Sequence, residues 1–402
     1  MDKGRHHEDF ISAYLRYVDN TEPSELFKKW TAFSLISAAL RRKVWLDWQE
    51  KIFPNLFTLL VGPPAARKGA AMSPALSFIR ELGIPLAADC STRAALVQDL
   101  KGSFSGLETG SNGVVTPHSS LTIFNKELIN LLGFQNRELL GDLCQFYDCE
   151  PRWKKKTTTQ GIFEITNLWL NLIGAITPSL LRQSCPVEIV GGGFISRCCI
   201  VFSEKPGKIV QAPTMSKIEG KWTLTGNVFD ENNPFRKSVL HDLGMISLLA
   251  GQFQLHESWI DEWCGWYNGT NNDIPAFHDT PLEEYIGRRQ VHAQKLSLII
   301  SAAEGDSMLI TGKHLRKGIE FLEEIEEKML DTFSGFGEST IAAATNKIMR
   351  IVGTAGKIHV NEVYKRVYMD LRREDFFESL NSLKAIGFLE QDQDGTLRHI
   401  PK

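Results

Sequence analysis

The hydrophobic pattern divides the first 235 residues into a helical start and an alternating region. Phe10, Tyr14 and Val18 keep a four-residue spacing that predicts an amphipathic helix, and residues 8–45 as a whole are predicted to be helical. Beyond them, short apolar runs alternate with helix-like stretches. The predicted strands cover residues 56–61, 84–88, 121–124, 168–176 and 195–202. Continuous apolar strands with helices between them indicate a mostly parallel sheet covered on both faces.

The remainder of the chain is predicted to form two further regions beyond the turn-rich segment Gly226–Pro234. Residues 236–335 are expected to be entirely helical, ending in a charged helix over His314–Thr332. From about residue 338, three helices precede a short hairpin that turns at Asp394 and Gly395, a pattern typical of a winged helix. The predicted domains are therefore residues 1–45, 46–235, 236–335 and 336–402.

Composition narrows the class of protein. With 402 residues, of which 43% are hydrophobic and 23% charged, the chain is expected to be a multidomain globular protein. Its longest apolar runs are far shorter than the ~20 residues of a membrane span, and the N-terminus lacks an apolar signal core. The seven cysteines show no zinc-binding spacing, which predicts reduced thiols and a cytoplasmic location. Because the net charge is only −3, contacts with nucleic acid must come from local patches.

The first candidate site is the segment that follows the apolar strand ending at Val61. A small-residue turn leads from Gly62 to Lys68, and a helix pattern follows over Met72–Leu82. Strand, loop, lysine and helix form the arrangement that holds nucleotide phosphates, because backbone N–H groups and the helix N-terminus face the anion. The spacing fits a P-loop, but Arg67 replaces the glycine before the lysine and no hydroxyl follows it. An ordinary strand-to-helix turn is the alternative.

Two strand ends downstream carry candidate partners for this loop. Glu127 follows the strand over residues 121–124, where a carboxylate can polarise water, although Asn125 replaces the usual aspartate. Thr177 follows the strand over residues 168–176, where it can hydrogen-bond an attacking water. Alternatively, Glu127 and Thr177 stabilise the N-termini of the helices that follow them. Asn171, in the middle of its strand, is better explained by a structural role.

An arginine and a glycine triplet form the next candidate. Arg197 follows Gly191, Gly192 and Gly193, and an arginine at the edge of a flexible loop can neutralise transition-state charge in its own subunit or in a neighbour. A surface salt bridge is the alternative for Arg197. Weaker candidates for the same role are Arg288, Arg289 and Lys295.

Two basic segments are candidate DNA contacts. Residues 151–161 combine an aromatic ring and three hydroxyls with the cations of Arg152, Lys154, Lys155 and Lys156. Such a loop or hairpin suits a nucleic-acid backbone, although a solvated basic loop would have the same composition. In the C-terminal region, Arg372 and Arg373 lie at the start of the third helix, roughly Arg373–Ile386, which would read DNA. Asp392 and Asp394 at the hairpin tip would repel phosphates, so protein docking is the alternative there.

The order of these motifs resembles a large group of P-loop proteins borne by phages and mobile elements. The matching segments are Pro54–Phe57, Leu60–Pro63, Arg67–Gly69, Phe124–Leu128, Phe146–Cys149, Gly174–Pro178 and Gly193–Arg197, with Thr21–Pro23, Trp30 and Arg41–Trp45 upstream. Members of this group are generally taken to be replicative helicases or the helicase half of primase-helicases. The resemblance covers roughly residues 10–330.

This resemblance implies roles for single residues. Lys68 would bind the β- and γ-phosphates, Glu127 would be the catalytic acid, Thr177 the sensor and Arg197 the arginine finger. Relatives commonly carry threonine where this chain has Ala70, so a hydroxyl ligand for Mg²⁺ is missing here. The basic insertion also resembles the channel hairpin of hexameric viral and archaeal helicases, which often end in a winged helix.

We therefore expect an α/β protein with a P-loop NTPase core of the AAA+ or RecA-like type. A helical N-terminal segment, a helical lid region and a C-terminal winged helix would accompany this core. The expected cofactors are ATP and Mg²⁺, with the metal near Asn125. The expected nucleotide-binding residues are Gly62, Pro63, Ala66, Arg67, Lys68, Gly69 and Ala70.

The expected function is that of an ATP-dependent DNA helicase or translocase in phage or mobile-element replication. Its partners would be single-stranded or forked DNA, other copies of the chain in a ring such as a hexamer, and a primase or initiator, with no membrane. The main alternative is an initiator or loader scaffold that binds DNA but turns over nucleotide weakly or not at all. A small-molecule phosphotransferase explains neither the basic insertion nor the winged helix.

Overall fold

The computed structural model describes most of the chain in two compact units, Met1–Phe333 and Ser334–Lys402. The described residues are 4–89, 92–105, 117–157, 161–185, 193–218, 220–224, 229–269, 273–278, 280, 282–333, 345, 348–349, 351–353, 355–367, 373–392 and 394–400. Gly191, Gly192 and Arg372 lie outside them, as do the side chains of Lys156 and of residues 161–163.

The helices of the first unit surround its sheets. They are α1 (Phe10–Tyr17), α2 (Glu25–Leu40), α3 (Lys68–Glu81), α4 (Arg93–Gly102), α5 (Ile129–Leu132), α6 (Arg137–Tyr147), α7 (Pro178–Ser184), α8 (Pro234–Ser247), α9 (Glu257–Asn268), α10 (Glu283–Glu304) and α11 (Gly312–Met329). Side-chain caps define several N-termini: Ser24 accepts a hydrogen bond from the Phe27 N–H, and Asp9 caps α1 in the same way.

The strands of the first unit form two sheets and two hairpins. They are β1 (Val44–Asp47), β2 (Lys51–Ile52), β3 (Phe57–Val61), β4 (Phe104–Ser105), β5 (His118–Asn125), β6 (Arg152–Thr157), β7 (Gly161–Thr166), β8 (Leu168–Ile176), β9 (Cys198–Phe202), β10 (Met215–Ile218), β11 (Lys221–Leu224), β12 (Gly251–Leu255) and β13 (Leu309–Ile310). The chain thus has an α/β architecture.

The central sheet has the strand order β4-β5-β8-β3-β9, in which β5, β8, β3 and β9 are parallel and β4 is antiparallel. Every residue of these four parallel strands is buried, because helices cover both faces. The predicted parallel, covered sheet is confirmed, and β8 has the predicted bounds. Of the strand predicted over residues 84–88, the structure has only an isolated bridge between Leu86 and Thr122.

A second sheet corrects two expectations from the sequence. Its order is β13-β12-β1-β2, so residues 8–45 end in a strand and residues 236–335 are not entirely helical. In β12, Gly251 and Phe253 are buried while Gln252 and Gln254 are exposed, which is the alternation of a half-buried strand. The run is only five residues long, and its parallel partner β1 lies some 200 residues earlier, so local periodicity gave little signal.

Asn171 joins the central sheet to α2. Its Oδ1 accepts hydrogen bonds from the Ser37 hydroxyl (2.9 Å) and the Leu56 N–H (3.0 Å), and its Nδ2 donates to the Ser34 carbonyl (3.0 Å). A buried amide with these bonds replaces the hydration it would have in water. The structural explanation of Asn171 is therefore confirmed.

The second unit contains a small sheet and helices around its own apolar core. Its elements are β14 (Lys357–His359), α12 (Val360–Val367), α13 (Arg373–Ala385), β15 (Leu389–Gln391) and β16 (Thr396–His399). The sheet order is β14-β16-β15, and β15 and β16 form the hairpin predicted at Asp394 and Gly395. The sequence predicts Phe376, Phe377, Leu380 and Leu383 as core residues. Phe376, Leu380 and Leu383 are buried, but Phe377 is 45% exposed, because it lies on the outer side of α13.

No helix in the described part of the chain is both long and apolar enough to cross a bilayer.

Candidate functional site

The loop between β3 and α3 is held against the next strand of the sheet. A Cβ atom added to Gly62 would lie 2.3 Å from the carbonyl oxygen of Ser203, which follows β9. The Ser203 N–H in turn donates to the Val61 carbonyl (3.0 Å). Only glycine allows this close approach of two backbone segments, so the first residue of the loop is fixed by packing as well as by any ligand.

Arg67 occupies the conformation for which a P-loop uses glycine. Its φ angle is 63° and that of Ala65 is 68°, both in the left-handed region. The Arg67 guanidinium bonds the carboxylate of Glu22 (Nε–Oε2 2.6 Å), which holds the residue in this conformation from outside the loop. An arginine at this position therefore carries backbone strain that a glycine would avoid.

Lys68 begins α3 and folds back over the loop. Its Nζ donates to the carbonyls of Gly62 (2.7 Å) and Pro63 (2.9 Å). Partial burial lowers the pKa of Lys68, and the Glu127 carboxylate partly offsets this effect. The ammonium is therefore inside the loop and within electrostatic reach of the candidate catalytic acid.

The first turn of α3 presents backbone donors at the same place. The helix has Arg67 at its N-cap and no side-chain cap hydrogen bond. The N–H groups of its first turn therefore face the loop without a side-chain acceptor of the usual kind, as a phosphate-binding helix requires. Gly69 and Ala70 supply no hydroxyl in this turn.

The turn after β5 carries Glu127 across the end of β8. Asn125 Oδ1 accepts the Glu127 N–H (2.8 Å), and Asn125 Nδ2 donates to the Asp89 carbonyl (3.0 Å). The next residue, Leu128, donates its N–H to the Ala175 carbonyl on β8 (3.0 Å). Because β8 lies between β5 and β3, this crossing brings the exposed Glu127 towards Lys68.

Lys126 is a residue of this site that sequence reasoning assigned no role. Its side-chain carbons lie 3.7 Å from the position a Cβ on Gly69 would take, so the aliphatic stem covers the start of α3. The aliphatic part of Lys126 therefore packs beside the loop. The only signal in the sequence was its position between Asn125 and Glu127.

Thr177 lies at the same edge of the sheet. The Gly62 N–H donates to the carbonyl of Ile176 (3.4 Å), so Thr177 follows the residue that contacts the loop. Its hydroxyl caps α7 by accepting the Leu180 N–H (3.4 Å), and it lies 3.2 Å from the Ser179 hydroxyl. The helix-cap alternative is therefore realised, at a position that also suits a sensor.

Arg197 lies at the opposite end of the parallel strands, where they begin. It immediately precedes β9, whose Cys198 pairs with Phe57 at the start of β3, whereas the loop follows the end of β3. The five residues of β9 span about 16 Å. Arg197 donates to both carboxylate oxygens of Asp148 (2.6 and 3.2 Å) and to the Gly193 carbonyl (2.9 Å). It does not meet Lys68 within one chain.

The weaker arginine and lysine candidates also have partners away from the loop. Arg289 forms a buried ion pair with Glu326 (Nε–Oε1 2.7 Å). Arg288 lies 3.5 Å from Asp148. Lys295 donates to the carbonyl (3.0 Å) and side-chain oxygen (2.5 Å) of Asn55. These contacts explain the three residues structurally.

The basic segment forms the antiparallel hairpin β6–β7, which directly precedes β8. Arg152 and Lys154 both lie near Glu164 (3.8 and 3.2 Å), and Lys155 lies 3.7 Å from Asp142. Its cations are thus partly neutralised by carboxylates that the local sequence did not associate with them. Arg152 remains 70% exposed and Lys154 55% exposed.

Trp153 belongs to the core rather than to an exposed contact surface. The residue is 7% exposed, its indole N–H donates to Gln145 Oε1 (2.8 Å), and its ring packs edge-on against Phe146. The aromatic ring counted with the basic segment is therefore unavailable for stacking on a base.

In the second unit, the Arg373 guanidinium lies 5.8 Å from the Phe377 ring centroid.

The residues expected to bind Mg²⁺ offer few oxygen ligands for the ion. Both ends of the Asn125 amide bond the backbone, and Ala70 lacks the hydroxyl. Among the described residues there is no group of three His, Cys, Asp or Glu side chains arranged to hold a metal ion. Nucleotide phosphates and water would have to supply most of the ligands.

No protein-family model matches the chain, and no curated protein matches it at a significant level. The function proposed for it therefore rests on the contacts of the described residues.

Proposed function

We propose that the chain is an ATP-driven motor on DNA, a helicase or translocase that works as a ring-shaped oligomer in phage or mobile-element replication. One observation carries the proposal: the loop between β3 and α3, with left-handed residues at Ala65 and Arg67, lies with Lys68, Glu127 and Thr177 at the carboxyl ends of the parallel strands. A nucleoside triphosphate fits this position, since the loop offers backbone donors, an ammonium group and a nearby carboxylate.

Within this proposal each residue has a defined task. Lys68 leaves the carbonyls of Gly62 and Pro63 and binds the terminal phosphates, whose charge replaces those two acceptors. Glu127 orients the attacking water, and Thr177 hydrogen-bonds the same water from the end of β8. A bound Mg²⁺ would supply charge neutralisation on the phosphates, with most of its ligands coming from outside the protein.

The position of Arg197 supports an oligomer. A guanidinium one strand length from the loop cannot act on a nucleotide in its own chain, but a neighbouring copy can bring it there. Release from Asp148 would be compensated by the phosphate charge. The ATP site would then lie between two copies of the chain.

The exposed Arg152 and Lys154 support contact with a nucleic-acid backbone, because they extend from the sheet on a hairpin of their own. The second unit contains helices followed by the hairpin β15–β16, an order compatible with a winged helix. In the proposed motor, α13 with Arg373 is its DNA-reading helix.

Steady-state ATP hydrolysis with and without single-stranded DNA tests the motor function. We expect stimulation by DNA in the wild type and its loss in Lys68→Ala. Ala70→Thr should raise the rate, because threonine restores a hydroxyl at the first turn of α3. If neither the wild type nor Ala70→Thr hydrolyses ATP, the proposal fails.

Mixing two inactive variants tests the shared site. Lys68→Ala and Arg197→Ala each remove one half of a site, but an interface between an Arg197→Ala copy and a Lys68→Ala copy can combine an intact loop with an intact arginine. Partial recovery of ATPase activity in the mixture is expected. No recovery, with both variants folded and oligomeric, would contradict action of Arg197 in a neighbouring copy.

A scaffold that binds DNA without turnover is the second candidate function. The observations that favour it are the missing hydroxyl at Ala70 and the backbone bonds that occupy Asn125. DNA binding that is equal with and without ATP, together with the absence of hydrolysis in Ala70→Thr, would favour the scaffold over the motor.

A further inference from the structure

A cavity of about 660 Å³ lies in the first unit. It is near the amino end of β3, whereas the P-loop follows the carboxyl end of that strand. Its walls come from the segment around β2, the end of α6, and the helices α9 and α10. Asn55, just before β3, forms part of the wall, whereas the P-loop follows the other end of β3. The cavity is therefore separate from the candidate ATP site, and its volume suits a ligand of nucleotide size.

One wall of the cavity is a ladder of aromatic rings. Trp263 and Tyr267 on α9 stack with centroids 5.3 Å apart and planes 16° from parallel, and Trp48 packs edge-on against Trp263 at 5.5 Å. Trp263 is almost buried, but Trp48 is 39% and Tyr267 46% exposed. Such rings offer flat surfaces on which another planar group can stack.

The opposite wall offers an unused hydrogen-bond donor. Gln294 on α10 lines the cavity and is 2% exposed. Its Nε2 is closed to solvent and has no hydrogen-bond partner among the described residues, so a ligand bonds it once the side-chain amide turns into the cavity. A buried amide without a partner costs free energy that a ligand with a polar edge would recover.

Cations line the rim and one wall. Arg288 is partly exposed and shares Asp148 with Arg197, and Lys51 lies over the Trp45 ring at 4.4 Å. The ammonium of Lys295 is already hydrogen-bonded to Asn55 and lies 3.9 Å from the Tyr147 ring centroid. Lys295 is therefore a structural part of the wall. Glu50, Asp148 and Glu150 line the same cavity, so its charges balance and the flat ring, rather than a phosphate, is the part of a ligand that it suits.

We propose that this cavity binds a nucleobase, stacked on Trp48 and Tyr267 and hydrogen-bonded at its edge by Gln294. Glu150 lines the cavity and is followed at Arg152 by the hairpin β6–β7, so a strand that contacts the hairpin can place a base there. The recognition of a nucleobase does not depend on the proposed function. Only the statement that this base belongs to a bound DNA strand rests on it. A free nucleotide carries the same chemistry.

Binding of two fluorescent twelve-residue oligomers, oligo(dT) and an abasic strand of the same length, tests the inference. The wild type should bind oligo(dT) at least about fivefold more tightly than the abasic strand, since stacking on an aromatic ring strengthens binding by about that factor or more. The ratio should fall towards one in Tyr267→Leu and in Gln294→Leu. Ile260→Ala removes an exposed side chain of the same helix, outside the cavity wall, and should leave the ratio unchanged.

Equal binding of both oligomers by the wild type would overturn the inference, even if DNA stimulates the ATPase and the proposed function stands. An equal loss for both oligomers in Tyr267→Leu would also overturn it. If no strand binds, calorimetric titration of the Lys68→Ala protein with thymidine monophosphate decides. Heat of binding that is lost when Tyr267→Leu is added to Lys68→Ala supports a free-nucleotide site. If the Lys68→Ala protein shows no heat of binding, the inference is overturned.

Discussion

Leu128 lies so close over Gly174 that a Cβ atom on this glycine would be 2.7 Å from the leucine's methyl carbons. This contact, together with the hydrogen bond from the Leu128 N–H to the Ala175 carbonyl, fixes the turn after β5 against β8. Glu127 precedes Leu128, so the same contact sets its position. A glycine in the middle of a buried strand thus helps to bring the candidate catalytic carboxylate towards Lys68.

Gly174→Ala should destabilise the first unit by about 1–3 kcal/mol, because the buried Leu128 side chain has no room to move. In the Leu128→Ala background the same substitution should cost much less, since the colliding atoms are gone. Urea unfolding followed by tryptophan fluorescence measures both, as all nine tryptophans lie in the first unit. An equal cost in the two backgrounds would contradict the contact.

Gly62→Ala should be more disruptive, since its Cβ meets the backbone oxygen of Ser203 rather than a side chain. We expect a loss of stability and of ATP binding by the same protein, measured by thermal unfolding and by titration with a fluorescent ATP analogue. Gly141→Ala is the matched control, because Gly141 lies within α6 with open space around it and alanine favours a helix. A Gly62→Ala protein as stable as Gly141→Ala would refute the packing argument.

Arg67→Gly should be more stable than Arg67→Val by about 1–2 kcal/mol, because a β-branched residue is strained at a φ of 63°. Both substitutions remove the ion pair with Glu22 equally, so the comparison isolates the backbone effect. Urea unfolding of the two variants measures it. Equal stabilities would show that the loop changes its conformation when arginine is replaced.

Glu164→Gln should strengthen binding of single-stranded DNA by several fold at low salt and steepen its salt dependence. The substitution frees Arg152 and Lys154 from their shared carboxylate, and each additional phosphate contact adds a slope of roughly 0.7. Glu327→Gln, on α11, makes the same change of net charge outside the hairpin. Equal effects of the two variants would assign the gain to net charge alone.

His292 should make the stability of the first unit depend on pH below neutrality. Burial lowers the pKa of His292 to about 4, while its Nε2 donates to the Ser196 carbonyl (3.0 Å). The unfolded chain therefore binds more protons between pH 6.5 and about 4. The stabilisation is complete above pH 6.5 and is lost as pH falls, by at most about 1.4 kcal/mol per pH unit.

Urea unfolding of the wild type and His292→Gln between pH 4.5 and 7 checks this sign. The wild type should lose more stability than the variant on acidification, because glutamine does not titrate. Parallel curves for the two proteins would show that His292 is protonated to the same extent in the folded and unfolded states.

Local pattern predicted those elements whose signal is confined to their own residues. The buried strands appeared as continuous apolar runs because both faces of the sheet are covered, and the strand over residues 168–176 was predicted in full. The loop between β3 and α3 and the turn at Asp394 and Gly395 also followed from local residue types. The short strand β12 was missed, since five residues with a distant partner give little periodicity.

By itself, the sequence determined that the apolar segments of β3, β5, β8 and β9 become buried strands and which residues follow their ends. Only the tertiary structure decided the strand order, which carries Glu127 over β8 to Lys68 and leaves Arg197 at the opposite end of the strands. It also paired Arg67 with Glu22, and Arg152 with Glu164. The physical reason is that periodicity reports burial within one segment, whereas strand order and ion pairing depend on contacts between segments far apart in the chain.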